Sequence, residues 1–168
     1  PNMAERTVTI GGYSKTFSVT GWRIGYSVAA QMWTRAIGAM NDLLYVCAPA
    51  PLQMGVARGI RDLPDDFYGS LARDYQHKRD RFCSALAKAD LTPSIPEGAY
   101  YVLADVSRLP GDNGKARAMY LLEQTGVAGV PGEAFIPGVA GANFVRFSYA
   151  KTDLDLDEAC RRLTQAGL

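Results

Sequence analysis

An α/β or α+β fold is predicted by three features of this sequence. Short runs of β-formers with alternating character, such as residues 6–10 and 143–150, read as strands. Longer segments with apolar residues at helical spacing lie between them, the longest over 65–89. Proline- and glycine-bearing stretches, such as Cys47-Ala48-Pro49-Ala50-Pro51 and Gly126, separate these segments.

Taken in order, residues 6–10 alternate Thr7, Val8, Thr9 and Ile10 as a strand does. A second strand is expected over 23–29. It would place Ile24, Tyr26 and Val28 on one face and Arg23, Gly25, Ser27 and Ala29 on the other. A helix is predicted over 34–44, broken by the Pro49 and Pro51 region, and a short helix over 52–59. The helix over 65–89 carries the stripe Tyr68, Leu71, Tyr75, Phe82, Leu86 and Ala89, with Asp65 and Asp66 at its positive end. Residues 96–103 and 130–135 each read as a turn with a strand. Residues 115–125 read as a helix closed by Gly126. The strand over 143–150 turns Val145, Phe147 and Tyr149 to an apolar face and Arg146 to the other. The last helix, 152–166, opens on Thr152-x-x-Asp155, a capping-box pattern. It lines one face with Leu156, Ala159, Cys160, Leu163 and Ala166. No internal repeat or low-complexity tract interrupts this order.

Composition bounds the function classes. With 168 residues, 48% hydrophobic and 21% charged, the chain can bury a sizeable core. Its 18 basic and 17 acidic residues leave a net charge of +1, which gives no electrostatic reason to expect nucleic acid or a membrane surface as partner. Arg73, Lys78, Arg79 and Arg81 are interrupted by Asp74 and Asp80 and read as a solvated helix face, as does His77, the one histidine. Cys47, Cys83 and Cys160 are far apart and form no Cys-x-x-Cys, so neither a metal site nor a disulfide framework is expected. Reduced thiols point to a cytoplasmic protein. The most apolar region, 36–57, contains Asn41, Asp42, Pro49, Pro51 and Gln53 and is not a spanning helix, and no signal peptide is read at the start.

The chemistry concentrates in Gly12-Tyr13-Ser14-Lys15-Thr16-Phe17-Ser18-Val19-Thr20-Gly21-Trp22-Arg23-Ile24-Gly25-Tyr26. Alone, a lysine is a solvated surface residue. Here it stands among small, hydroxylic and aromatic residues, with an arginine eight positions on. The segment resembles the cofactor-lysine segment of the class I/II aminotransferases, the fold type I enzymes that use pyridoxal 5'-phosphate (PLP). The resemblance implies that Lys15 is the catalytic amine that forms a Schiff base with the cofactor aldehyde. It implies that Arg23 holds the cofactor phosphate through a planar fork of donors, with Ser14 a further candidate contact. An amine attacks an aldehyde only when unprotonated, a form that burial and nearby positive charge favour. Many relatives carry a hydroxyl or amide residue where this chain has Gly12.

A second mark is Asn143-Phe144-Val145-Arg146-Phe147-Ser148-Tyr149-Ala150. An arginine among β-formers is costly to bury unless it meets an anion, whether an internal Asp or Glu or a ligand. The segment is similar to the family's carboxyl-terminal arginine strand, which implies that Arg146 clamps the substrate α-carboxylate. Pro96-Glu97-Gly98-Ala99-Tyr100-Tyr101-Val102-Leu103 resembles the family strand that approaches the substrate, making Tyr100 a candidate substrate contact. Val130-Pro131-Gly132-Glu133-Ala134-Phe135 resembles its Val-x-Pro-Gly-x-x-Phe turn. The four segments occur in the family's order and span nearly the whole chain.

The resemblance implies a transaminase that moves an amino group between an amino acid and a 2-oxo acid, acting as a homodimer. Residues 1–60 would be the end of the large cofactor-binding domain, with a partial sheet. Residues 61–168 would be the complete small α+β domain, its long helix over 65–89 bridging the two. The family's phosphate-cradling loop, its ring-nitrogen aspartate and its tyrosine and asparagine near the ring oxygen all precede the lysine segment. The chain alone is therefore expected to show little or no transaminase activity. Alternatives on the same scaffold are a PLP-dependent lyase, the aminotransferase-like effector domain of a transcription regulator, and an inert remnant.

Overall fold

In the computed structural model, which describes residues 3–168, strands and helices alternate as the sequence predicts, in two units, Pro1–Asp65 and Asp66–Leu168. In the first unit β1 (Thr9–Gly12) and β2 (Gly25–Val28) pair antiparallel, with Thr9 opposite Val28 and Gly12 opposite Gly25. α1 (Gln31–Leu44) and α2 (Ala50–Asp62) follow.

Among the boundaries that differ from the sequence reading, three have a clear local reason. Residues Ala4–Arg6 form a 3-10 turn rather than the start of a strand. The Arg6 N–H and the Thr7 hydroxyl both donate to the Met3 carbonyl, at 3.1 and 2.7 Å, and this holds the chain back until Thr9. α2 begins before Pro51 instead of after it. Proline has no N–H to lose in a first helical turn, so there it starts a helix rather than breaking one. The second strand starts at Gly25, leaving Arg23 outside it. Of the apolar face expected on that strand, Ile24 is buried, whereas Tyr26 and Val28 are exposed. Ile10 (82% exposed), Leu43 and Leu44 (both 79%) also lie open, so the first unit buries little beyond Ile24 and Val56.

The second unit opens on α3 (Phe67–Lys88), close to its predicted span. Its sheet has the order β3-β4-β6-β5, all antiparallel: β3 (Thr92–Ser94), β4 (Tyr101–Asp105), β5 (Val130–Pro131) and β6 (Phe144–Ser148). α4 (Gly114–Thr125) and α5 (Asp153–Gln165) complete it. Phe82 and Leu86 of α3, Leu121 of α4, and Leu156 and Leu163 of α5 meet Val102, Ala104, Val145 and Phe147 of the sheet in one core. Val145, Phe147 and Tyr149 are all buried, as the alternation predicts. Each fully buried leucine favours the fold by about 1.5–3 kcal/mol over exposure. On α3 the lower stripe, Phe82, Leu86 and Ala89, is buried, but Tyr68 at its first turn is exposed. β3 was not predicted. It is three residues long and contains Pro93, whose missing N–H an outer strand tolerates because it pairs on one side only.

The helix ends follow the sequence signals. The Asn113 side chain accepts from the Ala116 N–H at 2.9 Å, and Gly126 closes α4 at φ 69°. The Thr152 hydroxyl accepts from the Asp155 N–H at 3.2 Å and donates to the Asp155 carboxylate at 2.7 Å.

α3 and α5 are also joined by charge. Arg81 reaches Asp153 at 2.6 Å and Asp157 at 2.9 Å. The hydrogen bond from Arg81 holds the Asp153 carboxyl below its ordinary range. A carboxyl depressed in this way stabilises the fold above its unfolded value, ~3.9, and that contribution is lost as pH falls through the folded value. Arg81→Met is therefore expected to lower the Tm at neutral pH and to lose less on acidification to about pH 3 than the parent does. Thermal unfolding at the two pH values measures both. Parallel Tm–pH curves would refute the linkage.

Candidate functional site

The Lys15 segment is the loop between β1 and β2, and its aromatics and glycines give it its shape. The Tyr13 N–H donates to the Ile24 carbonyl at 3.2 Å, carrying the ladder one residue past Gly12. The Phe17 N–H donates to the Tyr13 carbonyl at 3.1 Å, closing a turn that carries Ser14, Lys15 and Thr16. The Tyr13 ring stacks on Phe17 (5.7 Å, 3°) and leans on Tyr26 (5.3 Å, 41°). The loop also seats on α2. A Cβ at Gly55 would come within 2.7 Å of the Trp22 ring, and one at Gly59 would meet the Phe17 ring at 3.5 Å. Only glycine at position 55 lets the indole lie that close.

On this scaffold Lys15 is exposed, and its Nζ donates to the Thr20 hydroxyl at 3.3 Å. That hydroxyl donates to the Ser14 carbonyl at 3.2 Å. Arg23 Nη1 donates to the Thr20 carbonyl at 3.0 Å. Thr20, which the sequence reading did not single out, thus touches both cations through two of its atoms. Its position in a string of hydroxyl residues was the available signal.

Arg23 is not on a strand face with Gly25, Ser27 and Ala29, as the alternation suggests. It follows the 3-10 turn Thr20–Trp22 and is left-handed, at φ 58° and ψ 36°. A non-glycine residue held there costs about 1–3 kcal/mol. The turn folds the Arg23 guanidinium back towards Thr20, on which Lys15 also rests.

In the second unit Arg146 sits on β6, opposite Leu103 of β4 and Val130 of β5, on the sheet face away from the core. It is half-buried. The Tyr101 ring lies 4.0 Å from its Cζ and the Phe135 ring 3.8 Å from it. Among the described residues it has no acidic partner, and its Nε is buried without an acceptor. The bland expectation for such an arginine, pairing with an internal Asp or Glu, is not met. Beside it is a cavity of about 200 Å³ bordered by Tyr101, Val130, Ser148 and Lys151.

Tyr100 packs against the core beside Tyr75, at 6.5 Å between rings, and leans on Tyr101 at 4.3 Å. The hydrogen bond with Tyr101 pushes the Tyr100 phenol up. The aromatic that touches Arg146 is Tyr101, its neighbour. Burial pushes the Tyr149 phenol up, and its hydroxyl donates to the Ala99 carbonyl at 3.0 Å, fixing the turn before Tyr100. Among the described residues no group of His, Cys, Asp or Glu could hold a metal ion, and no helix is long and apolar enough to cross a membrane.

These donor sets suit two anions. An amine, a hydroxyl and a guanidinium on one loop fit a phosphorylated aldehyde. An unpaired guanidinium beside a small cavity fits a carboxylate. Residues 1–163 match the sequence model of a family described as aminotransferase class I and II. The kynurenine–oxoglutarate transaminase of Dictyostelium discoideum is 36% identical over 184 residues, which takes in 95% of this chain and 41% of that protein. The solved N-succinyldiaminopimelate aminotransferase of Mycobacterium tuberculosis superposes with a TM-score of 0.87 at 32% identity, over 98% of this chain and 43% of that one. YbdL of Escherichia coli, described as having a methionine aminotransferase function, gives a TM-score of 0.90 at 30% identity, again over 98% and 43%. The chain thus spans about two fifths of the length of the relatives it matches. By sequence and by fold, the chain belongs to the class I and II aminotransferases.

Proposed function

We propose that these residues serve a PLP-dependent transaminase that exchanges an amino group between an amino acid and a 2-oxo acid. In this reading the first unit is the end of the large cofactor domain and the second is the small domain. The observation that carries it is the Lys15–Thr20–Arg23 linkage, which sets an amine and a guanidinium on one loop. When bound, PLP supplies an aldehyde and a ring that withdraws electrons from the substrate Cα. Lys15 engages the aldehyde, and its free amine moves the proton at the substrate Cα. Arg23 balances the phosphate charge, and Ser14 and Thr20 line the same loop. Arg146 orients the substrate by its carboxylate, so that the same Cα bond is always presented for cleavage. Tyr100 supports that pocket from behind Tyr101.

The protein is further proposed to act in the cytoplasm as a homodimer. The open apolar side chains of β1 and α1, Ile10, Leu43 and Leu44, call for cover from further polypeptide, and this reading supplies it. Titrating the chain with PLP is expected to shift the cofactor absorbance saturably, at one equivalent per chain. Arg23→Gln is expected to weaken the apparent affinity by about tenfold or more, as loss of a charge-assisted hydrogen bond does. A titration that never saturates, or that Arg23→Gln leaves unchanged, would overturn the assignment of this loop.

A further inference from the structure

We propose that Tyr101 and Phe135 are positioning residues that hold the Arg146 guanidinium as a flat, preoriented fork. The inference rests on the reading of Arg146 as a carboxylate anchor and adds how that anchor is held. The two rings come from unrelated places. Tyr101 stands on β4, opposite Ser148, so it reaches Arg146 diagonally across the strand pair. Phe135 follows the 3-10 turn Gly132–Ala134, which its own N–H closes onto the Gly132 carbonyl at 2.9 Å.

That turn is itself pinned. The Glu133 carboxylate accepts from the Gly114 N–H at 2.6 Å, at the positive end of α4. The first turn of a helix thereby fixes which side of the guanidinium Phe135 covers.

Three consequences follow from geometry. Ring centroids at 4.0 and 3.8 Å from its Cζ put two aromatic side chains in favourable cation–π contact with the one cation. Two rings this close restrict how the guanidinium can turn, so it is oriented before a ligand arrives. With no acidic partner among the described residues, no internal carboxylate has to be displaced. The cavity bordered by Val130, Ser148 and Lys151 gives a small carboxylate access to the arginine. An aliphatic side chain at 101 or 135 would keep much of the packing and lose the stacking.

The test uses the 168-residue chain labelled with 15N-arginine. The Nε–Hε resonance of Arg146, assigned by its disappearance in Arg146→Gln, is expected well upfield of the other arginines because two rings lie close against the guanidinium. Propionate is expected to bind and move it. Phe135→Leu and Tyr101→Leu are each expected to return the resonance towards the ordinary range and weaken propionate about tenfold, while Phe135→Tyr keeps both properties. Rescue by tyrosine separates stacking from simple loss of packing. An ordinary Arg146 shift in the parent chain overturns the clamp. Parental propionate affinity in both leucine variants overturns it too, and leaves Arg146 as the anchor. Propionate binding that is absent, or that survives Arg146→Gln, overturns the anchor reading and the proposal with it.

Discussion

Replacing Lys15 with alanine is expected to abolish covalent fixation of PLP to the first unit after borohydride reduction. The argument is one of placement. Lys15 is the only lysine before Lys78, so no other lysine of the first unit can take over. Its side chain is exposed, and a single hydrogen bond of 3.3 Å to Thr20 holds it. The amine is thus oriented and still able to leave its partner, as exchange between cofactor and substrate requires. Arg23, joined to the same threonine at 3.0 Å, would in the proposed reading hold the phosphate close to that amine. Peptide mapping of the reduced product should place the adduct on the peptide containing Lys15. In Lys15→Ala that adduct should vanish, with Lys78, Lys88, Lys115 and Lys151 carrying only background label. Equal labelling of all five lysines in the parent chain would show that nothing singles out Lys15.

Phe147→Ala is expected to cost the second unit about 3–5 kcal/mol, the usual range for removing a buried phenylalanine. Phe147 is 2% exposed, and its ring meets Phe82 edge-on at 5.8 Å. It lies opposite Val102 on the central strand pair, where no backbone movement can refill the space cheaply. Domains of this size are stable by only about 5–15 kcal/mol, so the variant should stand near its unfolding threshold. Urea unfolding of parent and variant gives the difference through the shift of midpoint at constant slope. A loss below about 1 kcal/mol would mean that the core collapses around the vacancy. Arg146, the preceding residue on the same strand, would lose its carboxylate affinity as the strand loosens.

The parts legible in the sequence were those written in local periodicity. The buried trio Val145, Phe147 and Tyr149, the Thr152 cap and the Gly126 stop are all encoded within a few residues. Arg23 misled because Arg-Ile-Gly-Tyr-Ser-Val alternates like a strand. The preceding Thr20–Trp22 turn, seated on Gly55, overrides that pattern. Tyr101 and Phe135 were quoted in motifs but not connected with Arg146. Their meeting depends on strand register and on the Glu133–Gly114 bond, and single-sequence spacing carries neither. Thr20 stood in a string of hydroxyl residues with nothing to single it out, since its role is defined by the Lys15 and Arg23 groups that meet on it. β3 escaped because three residues with a central proline hold no periodic signal.

The two outer strands of the four-stranded sheet are short, and each contains a proline, Pro93 in β3 and Pro131 in β5. Each ring removes a donor from the rim where a foreign strand would otherwise dock, so lateral growth into fibrils is blocked on both sides. β1 and β2 carry no such guard. Edge-to-edge pairing is therefore expected to be easier at β1 and β2 than at the outer strands of the second unit.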